Sequence, residues 1–281
     1  DTGYCADRAF MEALYPADHP YRRPPMGTRE SVSAFRPEDL LRFYHEHYHP
    51  GTLVISVVGA IEADRVLQKL AATLGQWRAP GNPRPLAIPD ATTQPQIVQK
   101  RVNLPEKPQI DMVWGVVAMP RTSSDYYAAM MGNFILGRLG LMGRLGDNVR
   151  DQQGLAYYVT SSLHMGMGPQ PWSIVAGVSP EFVDRALASI LYEVDRLGSE
   201  PVSDEELEDC RSYLVGALPL RLETNEGIAN LLISIEEYDL GLDYLQRYPA
   251  IVNSVSKEAL QQTARRYLTL DRYVVSMAGT L

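Results

Sequence analysis

Two spacings of apolar residues alternate along the chain and mark out its elements. In RPEDLLRFYHEHY, residues 36–48, Leu40, Phe43, Tyr44, His47 and Tyr48 fall at the spacing of one helical face. Pro37 near the first helical position, with acids in the first turn, favours a helix start there. TLVISVVGAI, residues 52–61, reads as a buried strand, and EADRVLQKLAATLG as a second helix closed by Gly75. Further on, IVQKRVNL and IDMVWGVVAM are strand candidates, and YYAAMMGNFILG and GRLGDNVRDQ are helical. AYYVTSSLHM and WSIVAGV follow as strands, with HMGMGPQPW as their hairpin connection. Helices then dominate from Pro180 to Leu268, one opened by a Ser203-x-x-Glu206 capping box. RYVVSMAGTL is the last strand. Strands in pairs, with helices in runs, predict an α+β fold of sheet-plus-helices layers.

The pattern is interrupted once, by RAPGNPRPLAIPDATTQPQ, residues 78–96, whose five prolines lack apolar periodicity. Residues 81–95 are therefore expected to link a piece spanning 1–80 to one spanning 96–281. A weak repeat relates the pieces. A shift of 220 residues lays PEDLLRFYHEHYHPGTLVISVVGAI on KEALQQTARRYLTLDRYVVSMAGTL without a gap. Glu38, Leu40, Val54, Ser56 and Gly59 then coincide with Glu258, Leu260, Val274, Ser276 and Gly279. Residues 1–80 read as the end of a domain whose complete copy follows the linker, a truncated copy beside a whole one.

Composition narrows the classes. The 281 residues are 45% hydrophobic and 21% charged, and net charge is −8 with dispersed Lys and Arg, which disfavours a nucleic-acid partner. No apolar run approaches the roughly 18 residues of a membrane span. The first residues lack a signal-peptide pattern, which leaves periplasm and cytoplasm both open. Cys5 and Cys210 form no metal-type spacing; two thiols is the plainer reading, and a disulfide stays compatible.

His45-Glu46-His47-Tyr48-His49 satisfies H-E-x-x-H letter for letter. At 100° per residue, however, His45 and His49 lie about 140° and 180° from Leu40, away from the apolar face. His49 precedes Pro50, where helical backbone is disfavoured. The second copy builds the same element without histidine. These residues are expected to end a packing helix, with His47 in the core or an interface. The glycines at 137, 140, 143 and 146 match no phosphate-binding pattern and read as a helix–helix turn.

HPYRRPPMGTRESVSAFRPEDLLRFYHEHYHPGTLVISVVGAIEADRV resembles the second half of the first domain of pitrilysin/insulinase-type zinc metallopeptidases. FILGRLGLMGRLGDNVRDQQGLAYYVTSSL is similar to a segment of that family's second, non-zinc domain. The resemblance implies a zinc protease whose inverted H-x-x-E-H helix and later glutamate are not found here; by register both fall before Asp1. Glu12 lies beyond the position of that glutamate, so no metal role is carried onto it. The resemblance does carry over an Arg and a Tyr seven residues apart, here Arg150 and Tyr157 in RDQQGLAY. A guanidinium can fork onto a carbonyl or carboxylate, and a phenol can donate to an oxyanion without ionising.

The expectation is the substrate-binding, transition-state-supporting portion of a zinc metalloendopeptidase, inactive by itself. Its partners would be a peptide substrate and a zinc-bearing half-domain or subunit, in a homo- or hetero-dimer. The alternative is a non-catalytic assembly subunit of the same family.

Overall fold

The computed structural model describes residues 1–79, 87–91, 94–138 and 143–280. Most of the expected linker and Gly140 lie outside the described residues. The chain divides into two compact units. One holds Asp1–Pro24, Ile88–Val215 and Pro249–Leu281, and the other Pro25–Ala87 and Gly216–Tyr248. Two crossings, at Pro24–Pro25 and Ala87–Ile88, fall outside helices and strands, and two, at Val215–Gly216 and Tyr248–Pro249, run through helical backbone.

The first unit is built on a mixed sheet of five strands, β1 (Val98–Asn103), β2 (Ile110–Val117), β3 (Ala156–Leu163), β4 (Pro171–Val178) and β5 (Val274–Gly279). Their order is β1-β5-β2-β4-β3, with β1 parallel to β5 and the remaining pairs antiparallel. All five coincide with the strands expected from the sequence. β2 and β5 are buried along their whole length, as fits interior strands covered on both faces.

Helix α1 (Thr2–Leu14), capped by the Asp1 side chain, covers one face of this sheet. Its stripe Ala6, Phe10 and Leu14 packs on Val113, Val117, Val274 and Ala278. Gly115 lies beneath Phe10; a Cβ there would come within 2.8 Å of the ring. Ser276 Oγ donates to the Ala6 carbonyl at 2.6 Å, satisfying a buried polar pair. Helices α5 (Tyr126–Asn133), α6 (Val183–Ser199) and α10 (Lys257–Tyr267) pack together as a second helical layer. Trp172, fully buried, donates through Nε1 to Ser161, which in turn donates to Asn133.

The second unit contains α2 (Arg29–Ala34), α3 (Pro37–His47), α4 (Ala63–Leu74) and α8 (Asn225–Glu237), with parts of α7 (Asp204–Arg221) and α9 (Tyr244–Ser254). The capping box at α7 forms as the sequence predicts: Ser203 N donates to Glu206 and Glu206 N to Ser203 Oγ. Two expectations fail here. Residues 53–59 run extended but pair with no strand among the described residues. The stripe of α3 is exposed, with Leu40 at 62% and Phe43, Tyr44, His47 and Tyr48 also open. A strand needs a neighbour for its ladder and a stripe needs a facing layer, and the described residues supply neither.

Candidate functional site

The segment RDQQGLAY begins in a π-helical turn, Gly146–Gln152, and ends in β3. The sequence predicts an ordinary helix here. A wider π turn holds an extra residue per turn, and such turns recur at functional sites. A second π turn, Phe134–Arg138, follows α5, and both lie against β3. Gly154, at φ +62°, lets the chain leave the turn: its N–H closes on the Arg150 carbonyl and Leu155 N–H on Val149.

Arg150 is partly exposed, with its nearest acid, Asp151, 4.0 Å from Nε. Tyr157 is 81% exposed. It occupies a β-bulge, because β3 pairs Ala156 with Val178 and Tyr158 with Gly177 and leaves Tyr157 unmatched. Bulges re-aim a side chain out of the regular alternation. That is why the adjacent Tyr157 and Tyr158 differ so much. Tyr158 reaches across β4 over Gly177, whose missing Cβ makes room, and donates to Asp111 Oδ1 at 2.6 Å. Burial, then the bond to Asp111, raises the Tyr158 phenol above its ordinary value and keeps it protonated. Gln109 and Thr2 also donate to Asp111.

The turn carrying Arg150 is tied down by residues that sequence reasoning did not single out. Asn148 donates to Glu193 at 2.5 Å, and Gln153 donates to Asn148 at 2.6 Å and to Ser189 at 3.0 Å. Glu193 is buried and also accepts from Arg196 at 3.0 Å. One signal was available: Glu193 interrupts the apolar stripe Ala186, Ile190, Leu197 of α6, and a carboxylate there needs partners. On the other side of the turn, Arg144 forks onto Glu206 at 2.6 and 2.9 Å, beside a cavity of about 480 Å³ that Asp147 and Tyr213 also line. Burial opposes ionisation of Glu206, but Arg144 and the Ser203 amide hold its carboxyl below the usual range.

The histidine cluster does not form a metal centre. α3 ends at His47, so His45 and His49 do not share a helix, and His49 Nδ1 accepts from the Gly51 amide. Phe43 and His47 rings lie 4.4 Å apart. No group of three or more His, Cys, Asp or Glu among the described residues is arranged to hold a metal, so zinc does not fit this chain's described residues. Both cysteines are free, and burial pushes the Cys210 thiol up to about 12. No helix among the described residues is long and apolar enough to cross a membrane.

A family profile described as the peptidase M16 inactive domain matches residues 34–214. The chain belongs to the peptidase M16 inactive-domain family. An uncharacterized zinc protease of Streptomyces coelicolor is 28% identical over 82% of this chain and 50% of its own length. A non-peptidase homolog from Helicobacter pylori is 23% identical over 93% of this chain and 59% of its own. The chain spans about half the length of the curated M16 relatives it matches. Its fold is that of the crystal structure of a peptidase M16 inactive domain from Pseudomonas fluorescens, with a TM-score of 0.89 at 24% identity. That match covers 100% of this chain and 66% of the other. The expected family and fold class both hold.

Proposed function

We propose that this M16 chain is the substrate-cradle portion of a zinc metalloendopeptidase, with residues 1–80 completing a first, zinc-type domain and 96–281 forming the second. The observation that supports it best is the Arg150–Gly154–Tyr157 turn. It presents a partly exposed guanidinium, with Asp151 4.0 Å from its Nε, and a phenol turned out by a bulge, seven residues apart. Arg150 would grip a carbonyl or carboxylate of an extended peptide. The Tyr157 hydroxyl would donate to the oxyanion of a tetrahedral intermediate. Zinc would be held by residues of a partner half, and the chain alone would cleave nothing.

The test is peptide turnover by the chain assembled with a zinc-bearing half. Tyr157→Phe should lower kcat about 10²–10³-fold, the usual loss for one oxyanion donor, and Arg150→Ala should raise KM. Unchanged turnover in a correctly assembled complex sinks this reading. It would favour a second one, a non-catalytic assembly subunit, which the Helicobacter pylori non-peptidase homolog supports.

A further inference from the structure

β3 carries two successive tyrosines, and Tyr158 is the one that lies over Gly177 of β4. A Cβ on Gly177 would come within 2.4 Å of the Tyr158 ring and 2.5 Å of Gln109 Nε2, so glycine is what leaves the ring its place. Beyond the ring stands Asp111 of β2. Its Oδ1 accepts from the Tyr158 hydroxyl at 2.6 Å and from Gln109 at 2.7 Å, and its Oδ2 accepts from the Thr2 hydroxyl at the start of α1. Asp111 is 7% exposed. A carboxylate that far out of water is held by its donors, and the donors are fixed by it.

The anchor falls on the residue next to the bulge. Farther along β3 the strand is pinned by Ser161, bonded to Trp172 and Asn133, and by Thr160, which donates to the Gly137 carbonyl at 3.0 Å. Before the bulge, Ala156 is matched with Val178, and Tyr157 between these points has no match on β4. Neighbouring strand residues point to opposite sides, and a slip of one residue exchanges them. Because residues 157 and 158 are both tyrosine, either ring could fill the space over Gly177. The bond to Asp111 selects Tyr158, and that selection leaves Tyr157 turned outward.

We propose that Asp111 is a positioning residue for Tyr157: through Tyr158 it locks the register at the bulge and holds the Tyr157 hydroxyl where an oxyanion donor must stand. The proposal rests on the peptidase reading for what Tyr157 donates to, whereas the lock is a property of this chain alone. Asp111 is buried and the Tyr158 hydroxyl is engaged by it, so neither polar group is free for a substrate. Their effect belongs to the step that Tyr157 serves and should appear in kcat rather than KM.

The experiment measures turnover by the assembled complex with the lock altered, alone and in a Tyr157→Phe background. Tyr158→Phe keeps the ring and removes the bond, and Gly177→Ala expels the ring. Asp111→Asn keeps an oxygen to accept from Tyr158 and gains a nitrogen to donate to Thr2, whereas Asp111→Ala keeps neither. Gly177→Ala should lower kcat about 10²-fold at unchanged KM, the scale of a misplacement of about 1 Å. Tyr158→Phe should lower kcat by less, and Asp111→Asn should retain most of what Asp111→Ala loses. In the Tyr157→Phe background none of them should cost anything further, since the group they position is gone. Losses that add to that of Tyr157→Phe overturn the proposal. So does a rise in KM at constant kcat, or full kcat in Tyr158→Phe. Amide exchange at 156–158 in the free chain reads the lock without turnover: it should quicken about fivefold or more in Tyr158→Phe, with 274–278 unchanged. Unchanged exchange at 156–158 overturns the lock. If Tyr157→Phe leaves turnover intact while Tyr158→Phe quickens that exchange, the peptidase reading fails and the lock stands.

Discussion

The element Pro37–Gly59 and its counterpart Lys257–Gly279 have the same helix length, spacing and closing glycine, yet one is exposed and the other is core. Local sequence was enough to form the helix and straighten the chain in both. It was not enough to make a strand in the first, because a strand is defined by the ladder it shares. Burial and hydrogen bonding in the second copy come from β1, β2, α1, α5 and α6, all distant in sequence.

The largest expected effect breaks or upholds this contrast directly. Leu260→Ala should cost about 2–5 kcal/mol of stability, since it opens a cavity between packed helices. Leu40→Ala, at the matching position, should stay within about 0.5 kcal/mol in the isolated chain. Urea melts of both variants decide it, and equal losses would mean that the two copies are equally packed. The serine pair comes next. Ser276→Ala should cost about 1–1.5 kcal/mol, the net worth of the hydroxyl's added bond to the Ala6 carbonyl, whereas Ser56→Ala should be neutral or slightly stabilising. Shifts in melting temperature report both.

A smaller effect sharpens the contrast between buried and open positions within one strand. Tyr158→Phe should lose about 0.5–1.5 kcal/mol with its bond to Asp111, and Tyr157→Phe nothing measurable. A Tyr157→Phe loss of equal size would show that the bulge hydroxyl is structural. The smallest difference is in pH. The Glu206 carboxyl sits below its ordinary 4.5 in the folded chain, so its contribution is complete above that value and is lost as pH falls through the lower folded one. Acid unfolding should therefore be less steep in Glu206→Gln. The partly exposed Asp39 at the start of α3, also held low by the Arg36 amide, should give a weaker slope change as Asp39→Asn. A larger Asp39 effect would reverse the ranking of the two copies.

Much of the fold was legible because its signals are local. Alternation and unbroken apolar runs marked all five strands, and the Ser203–Glu206 capping box appears as written. Arg150 and Tyr157 could be singled out by their spacing. Their surroundings could not: a π turn and a bulge depend on how Gly146–Gln152 and β3 lie against their neighbours. The network through Asn148, Gln153, Ser189 and Glu193 joins residues up to 45 positions apart and leaves only one sequence trace, a glutamate in an apolar stripe.

The sequence by itself marked α3, α4, α5 and the helical run from Pro180 to Leu268, the extended segments, the spacing of Arg150 and Tyr157 and the repeat that relates the two copies. Period and backbone preference act over a few residues and travel with the segment. Only the tertiary structure decided which copy of that repeat is buried, because burial is a property of two surfaces and the sequence of one segment specifies only its own.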